Sequence, residues 1–438
     1  MNPLAKELNE IILETNPYIY EMLSKVGKKL FFPKGILSQT AEAKEKAYKF
    51  NATIGMATEK EAPMYLPSIM KWINLPPEKS ITYAPATGIP ELRKLWKEYL
   101  YKKNPSLNHK EISLPIVTHA ITHGLSVVAD IWVDSEDIIL LPDKMWGNYR
   151  LIFEVRKGAK IVNYPFFEEN KKLNIKEFQK TLKDISEKSK KIVIILNFPN
   201  NPTGYSPTIS EAEHIKEILL EHAEKGTNIV AVIDDAYFGL VYEEGILKES
   251  IFSYLACEHP RILSIKLDAA TKEDFVWGLR VGFLTYGIKS MKKDPEHIYY
   301  ALEKKTAGAI RGSISNANHV GQEILLSALK DPHYPKEKEQ KFHILKERAE
   351  EIKRILSTNS KYTQVWDVYP FNSGYFMCLK IKGVDAEKLR KYLLERYGIG
   401  IISLNNTDIR IAFSSLEKGN LPLFFEELFK AILELQTL

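Results

Sequence analysis

The stretch RILSIKLDAATKEDFVWGLRVGF, Arg261 to Phe283, opens with an apolar run of strand length, Ile262 to Ile265, and leaves it into a polar segment holding Lys272. Eight residues further on comes Arg280 in WGLRVGF, bracketed by glycines that let backbone approach a ligand closely. A lysine just past a buried strand is open to desolvation, which lowers its pKa and makes the amine a nucleophile toward carbonyls. A nearby arginine suits an anionic ligand such as phosphate. A loop lysine is ordinarily solvated, so the weight of the assignment falls on the rest of the chain.

With 438 residues, 45% hydrophobic and 27% charged, the chain reads as a soluble globular protein of about two or three domains. A net charge of +5, from 61 basic and 56 acidic residues, is nearly balanced and leaves no nucleic-acid footprint. Cys257 and Cys378 sit in no CxxC or Cys/His spacing. They read as free thiols of a reducing cytosol, with no metal site. The N-terminal MNPLAKELNEIILE carries acids and no long apolar core, unlike a secretory signal. No run reaches the roughly 20 apolar residues of a membrane span. The expectation is a cytoplasmic protein without a membrane partner.

Residues 1–50 read as helical and charged, with Ile11, Ile12 and Leu23 on an apolar face and KKLFFPKGILSQ as an interrupting loop around Pro33 and Gly35. NATIGMATEKEAPMYLPSI reads as extended and turn-rich. Pro90 suits a first helical position, and Leu92, Leu95, Trp96, Tyr99 and Leu100 give that helix one buried face. The loop before it displays Tyr83, which by itself reads as a packed loop tyrosine. Strand and helix then alternate. Ile138 to Leu141 is followed by PDKMWGNY, Ile192 to Leu196 by NFPNNPTG, and Ile229 to Ile233 by DDAYFG. Between the last two, Ser210 and Glu213 read as a capping box, Ile215, Ile218 and Leu219 as a helix face, and Gly226 as the stop.

Uniformly apolar strands joined by helices predict a mostly parallel sheet covered on both faces. The strands end toward Trp146, Asn201, Asp234 and Lys272, and ligands of such sheets bind beyond the carboxyl ends. After Arg311 come two charged helical stretches, two strand-like runs and a closing helix, a smaller α+β unit.

With NPTG, DDAY, Lys272 and GLRVG together, the chain resembles a class I/II, fold-type I aminotransferase dependent on pyridoxal phosphate. It is most similar to the aspartate and aromatic amino-acid aminotransferases, from about Asn51 to Phe413. The resemblance implies an α/β fold, with a large cofactor domain over residues 66–325 and a small α+β domain formed by both termini, residues 1–65 and 326–438. Asp234 matches the carboxylate that pairs with the cofactor's protonated ring nitrogen, where the ring acts as an electron sink. Asn201 and Tyr237 match the donors to the ring's phenolate oxygen. Lys272 matches the Schiff-base lysine, which also carries the proton. Its spacing to Arg280 is the family's, whereas Lys266 is mid-strand and 14 residues from Arg280.

Arg280 is then the phosphate ligand, with Thr122 and Thr271 as hydroxyl donors, and Trp146 the residue stacked on the ring. Tyr83 matches a tyrosine that reaches the cofactor phosphate of a neighbouring subunit, which implies a homodimer with shared sites, and Gly55 a glycine beside the substrate. Arg410 matches the arginine whose planar fork holds the α-carboxylate, although its apolar neighbours also fit a surface strand arginine. Arg311 matches the arginine that crosses the dimer to the distal carboxylate of aspartate or glutamate, a place that members with aromatic preference also fill with arginine.

Two departures stand out. The family's serine-glycine-threonine phosphate cup is here Ala120, Ile121 and Thr122, and a serine three residues before the lysine is Ala269. Backbone N–H groups at a helix N-terminus would complete the cup, with His119 or His123 as further candidate donors, and the segment around Phe31 to Lys34 would cover the substrate entrance. The resemblance implies ping-pong transfer of an amino group from aspartate, glutamate or an aromatic amino acid to a 2-oxo acid such as 2-oxoglutarate. A fold-type I lyase or decarboxylase is the alternative, sharing Asp234, Lys272 and Arg280. A transcription regulator would need an appended basic domain, for which residues 1–50 are too short and too mixed in charge, and a nicotinamide dehydrogenase a GxGxxG, which follows none of the strands.

Overall fold

The structure, a computed structural model, describes residues 1–32, 35–292 and 294–437. Its centre is a seven-stranded sheet. In chain order the strands are β1 (Ile116–His119), β2 (Ile138–Pro142), β3 (Lys160–Tyr164), β4 (Lys191–Asn197), β5 (Asn228–Asp234), β6 (Ile262–Ala269) and β7 (Val281–Ile288). Their spatial order is β1-β7-β6-β5-β4-β2-β3. β7 runs antiparallel to both neighbours, β1 and β6, while β6, β5, β4, β2 and β3 pair in parallel. The fold is α/β with a mostly parallel sheet. Buried on both faces, β4 and β5 are apolar through their middles, which is why they read as continuous runs, whereas β6 also buries Ser264, Lys266 and Asp268.

β7 itself went unread, because its first residues belong to the GLRVGF motif assigned to ligand approach. The tight contact there is internal: a Cβ on Gly282 would stand 2.8 Å from the backbone of Ala120 and 3.1 Å from Thr118 Oγ1, whereas Gly278 has open space around it. Gly282 therefore lets β7 close against the start of the helix that follows β1.

The helix Ile209–Glu224 starts two residues before the expected box. Thr208 is extended and caps it, with Glu211 as the reciprocal partner. Tyr205 Oη also donates to Glu211 Oε2 at 2.7 Å, which fixes the acid at that register, and Ser210 is already helical. Gly226, at φ +101°, follows its C-terminus. The helix Pro90–Lys103 has proline in its first turn and buries Leu92, Trp96 and Leu100, with Leu95 and Tyr99 half-buried.

The second layer is a four-stranded antiparallel sheet of β8 (Trp366–Val368), β9 (Phe376–Ile381), β10 (Ile402–Ser403) and β11 (Asp408–Ala412), in the order β8-β9-β11-β10. Beside it Phe50–Asn51 pairs in parallel with Ile399–Gly400, so chain from both ends meets here. The N-terminal region holds helices Pro3–Thr15, Pro17–Met22 and Ile36–Lys46. Ile11 is 54% exposed rather than on a packed face; Ala5 and Asn9 are buried instead, the latter because its Nδ2 donates 2.8 Å to Lys28 O. The expected loop KKLFFPKGILSQ becomes helix from Ile36 on, Pro33 and Lys34 lying outside the described residues. Gln39 Nε2 anchors that helix to Ser403 O at 3.1 Å.

Candidate active site

A cavity of about 420 Å³ lies beyond the carboxyl ends of the parallel strands. Of the twelve residues singled out in the sequence, it brings ten together: Gly55, Thr122, Trp146, Asn201, Asp234, Tyr237, Thr271, Lys272, Arg280 and Arg410. Most come from a strand end or the segment after it, while Thr122 stands in the first turn of the helix Ala120–Trp132 and Arg410 in the middle of β11.

Lys272 sits on the short helix Ala270–Glu273 directly after β6. Its Nζ donates 2.6 Å to Gly55 O. Burial, and then the positive charges of Arg410 and Arg280, push the amine down to about 7. Gly55 leaves the room this requires, since a Cβ there would stand 3.2 Å from Lys272 Nζ and 3.5 Å from the Phe376 ring. Lys266, the nearest rival in sequence, is wholly buried and ion-paired to Asp235, with Asp268 Oδ2 at 3.7 Å. It does not line the cavity.

Asp234 ends β5. Burial pushes its carboxyl up to about 6, opposed by hydrogen bonds from Tyr149 Oη at 2.6 Å and the Ala236 N–H at 3.2 Å. Asn197 braces this corner: its Nδ2 donates 2.9 Å to Asp234 O, and its Oδ1 accepts 2.8 Å from the Asn201 N–H. Asn201 Oδ1 in turn accepts from Arg410 Nη1 at 3.1 Å. Arg410 is 2% exposed, which overturns the surface-arginine alternative. Its Nη2 donates 2.9 Å to Thr53 O, its guanidinium lies 4.1 Å over the Phe376 ring, and its Nε has no partner among the described residues. A buried fork with a donor to spare is built to receive an anion.

At the other end the 13-residue helix Ala120–Trp132 begins at the cavity wall, with Ala120, Ile121 and Thr122 among the lining. Among the described residues, Thr271 Oγ1 is buried and unpartnered, and Arg280 makes only a long 3.4 Å bond to Trp277 O. His123 is a packing residue: it accepts from the His119 N–H at 3.1 Å and bonds Ser313 Oγ at 3.0 Å. Neither His119 nor His123 is among the lining residues.

Tyr83 and Arg311 are not in this cavity. Tyr83 is 91% exposed, so it is no packed loop tyrosine, and Arg311 is an exposed residue bonded to Ser315 Oγ at 2.5 Å. The sequence reading missed Tyr149, Asn197 and Ile36, all of which line the site. Tyr149 carries a signal, standing one helical turn after Trp146 with the two rings edge to face at 5.6 Å. Ile36 carries none. Among the described residues no group of three or more His, Cys, Asp or Glu is placed to hold a metal, and no helix is long and apolar enough to cross a membrane.

The family model for aminotransferase class I and II matches residues 68–428. The chain belongs to the class I and II aminotransferases. This aminotransferase is 28% identical over 380 residues to a probable aspartate/prephenate aminotransferase of Aquifex aeolicus, covering 84% of this chain and 88% of that protein. It is 30% identical over 209 residues to aromatic-amino-acid aminotransferase 2 of Thermococcus litoralis, covering 47% and 50%. A crystal structure of an aminotransferase from Anaerococcus prevotii superposes with a TM-score of 0.82 at 23% identity, over 94% of this chain and 99% of that one, and shares the fold.

Proposed function

We propose that this aminotransferase holds pyridoxal 5′-phosphate on Lys272 and moves an amino group from an L-amino acid, aspartate, glutamate or aromatic, to a 2-oxo acid such as 2-oxoglutarate, the two half-reactions alternating on one site. The observation that carries this is Lys272: a buried amine with its pKa pushed down to about 7, lining one cavity with the buried Asp234 carboxylate and the anion donors Thr271, Arg280 and Arg410.

The donor set fits the cofactor. Thr271 Oγ1, without a partner in its buried position, with Arg280, Thr122 and the start of helix Ala120–Trp132, suits a phosphate despite Ala120 and Ala269. Asp234 would face the ring nitrogen, Tyr237 and Asn201 the phenolate oxygen, and Trp146 the ring face. Bound there, the cofactor supplies a ring that withdraws electrons from the substrate's α-carbon.

The chain does the rest. Asp234 is held ionised enough by the Tyr149 hydroxyl to keep a proton on an opposing nitrogen. Arg410 clamps the α-carboxylate with its fork, and the Gly55 carbonyl orients the Lys272 amine by accepting one of its protons. With a pKa pushed down to about 7, Lys272 Nζ takes the α-carbon proton as a base matched to neutral pH. Tyr83 and Arg311, exposed in a single chain, would serve the site of a second copy in a homodimer of the cytoplasm.

The test is to supply the cofactor-loaded protein with 2-oxoglutarate and L-aspartate, L-glutamate or L-phenylalanine, using a distinct 2-oxo acid with the glutamate. One new amino acid is expected for each donor consumed. Release of carbon dioxide or of a side-chain fragment without a new amino acid would overturn this reading in favour of a lyase.

A further inference from the structure

An ion pair outside the cavity joins the two sheets next to the carboxylate clamp. Lys144 lies in the turn after β2, two residues before Trp146, and Asp408 opens β11, two residues before Arg410. Lys144 Nζ stands 2.8 Å from Asp408 Oδ2. The carboxylate is 2% exposed and the ammonium 16%. Asp408 has further donors: Tyr369 Oη at 3.1 Å, Thr407 Oγ1 at 3.1 Å and Asn405 Nδ2 at 3.0 Å. The Lys144 ammonium also lies 5.1 Å over the Tyr369 ring and 3.4 Å from Asp143 Oδ2. The backbone of Lys144 is held as well, its carbonyl accepting 3.1 Å from Asn200 Nδ2, the neighbour of Asn201.

Side chains two apart on a strand project to the same face. Asp408 and Arg410 are such a pair, and each is bound to a turn of the large sheet: Asp408 to Lys144 and Arg410 to Asn201. β11 is thus tied at two neighbouring points to the turns that carry Trp146 and Asn201. Neither Lys144 nor Asp408 is among the lining residues of the cavity, whereas Arg410 and Lys272 both are.

We infer that the Lys144–Asp408 pair is a strap between the sheets that positions Arg410 for the substrate's α-carboxylate, a reading that rests on the proposed role of Arg410. Loss of the strap weakens carboxylate binding and leaves cofactor capture intact, because Asp234 ends β5, Lys272 follows β6 directly and Arg280 precedes β7, all at the large sheet. Burial and defined geometry set this pair apart from exposed ion pairs, which contribute little.

The experiment measures KM for amino donor and 2-oxo acid, kcat, the affinity for pyridoxal phosphate by absorbance titration, and calorimetric binding of the unreactive carboxylate 3-phenylpropanoate. It is run on the holoenzyme and on Asp408→Asn, Lys144→Met, Lys144→Arg and Arg410→Lys. Asp408→Asn and Lys144→Met are each expected to raise KM and the 3-phenylpropanoate dissociation constant about tenfold, with kcat and cofactor affinity within twofold. Lys144→Arg, which keeps the charge, recovers most of the loss. If Arg410→Lys weakens carboxylate binding while both strap variants bind as the parent does, the strap is refuted. Cofactor affinity falling in step with carboxylate affinity would refute it too, by showing a general loosening. If Arg410→Lys itself leaves binding unchanged, the clamp assignment fails and the strap fails with it.

Discussion

The free-base fraction of Lys272 gives a quantity the structure predicts sharply. With the amine pushed down to about 7 from an ordinary 10.5, about half of it is neutral at pH 7. An ordinary lysine would be neutral at a level lower by on the order of a thousandfold. The assay is stopped-flow absorbance of cofactor-free protein mixed with excess pyridoxal phosphate from pH 5.5 to 9.5. The capture rate should climb about tenfold per pH unit below the midpoint and level off above pH 8. Burial is the largest cause and the charge of Arg410 the next, so Arg410→Leu should move the midpoint upward by less than burial contributes. Since the folded pKa lies below the unfolded value, the native chain binds fewer protons than the unfolded one between about 7 and 10.5. Stability from this group therefore rises with pH across that window, and Lys272→Met should flatten the rise. A capture rate that keeps climbing to pH 9.5 would refute the desolvation argument.

Three further outcomes follow from named contacts. Tyr149→Phe removes a donor to the Asp234 carboxylate; a hydrogen bond to a charged group is worth about 1.5–3 kcal/mol, so the Asp234 midpoint should rise from about 6 by about one to two pH units. Carbon-13 NMR of labelled aspartate in the cofactor-free protein reads it, and an unchanged midpoint counts against the role of Tyr149. Gly55→Ala puts a methyl 3.2 Å from Lys272 Nζ; the displaced amine should capture cofactor about tenfold more slowly at nearly unchanged melting temperature. Lys266→Met strands the buried carboxylates Asp235 and Asp268, at a cost of about 3–5 kcal/mol in urea unfolding. Burial already pushes Asp268 up to about 6, so the native variant holds protons that the unfolded chain has lost, and its deficit should grow as pH rises from 5 to 8.

The parts of the fold that showed in the sequence are those where burial is uniform. β4 and β5 are covered on both faces and apolar through their middles, so their pattern is plain, whereas β6 interleaves the buried polar residues Ser264, Lys266 and Asp268 and shows only in part. The capping box was displaced by two residues because a second candidate pair, Ser210 and Glu213, has the same spacing as Thr208 and Glu211, and tertiary contacts, from Tyr205 to Glu211 and from Ile246 beside Thr208, separate them. The candidate site residues came from motifs shared with a known family, and the cavity gathers ten of those twelve.

Lys144 and Asp408 were not legible, and Tyr149 showed only through its spacing from Trp146. Their importance lies in partners far along the chain, Asp234 for the tyrosine and, for the ion pair, a residue 264 positions away. No local pattern encodes such pairs. The exposure of Tyr83 and Arg311 was equally hidden, because nothing in a lone tyrosine or arginine says whether it faces its own core or outward.

The central claim is that Lys272 is the residue that bonds the cofactor. Borohydride reduction of the protein loaded with pyridoxal phosphate, followed by digestion and peptide mass spectrometry, tests it directly. The account predicts one reduced pyridoxyl group on the peptide containing Lys272 and none in Lys272→Ala. The label on Lys266 or on surface lysines, or its persistence in Lys272→Ala, would contradict it.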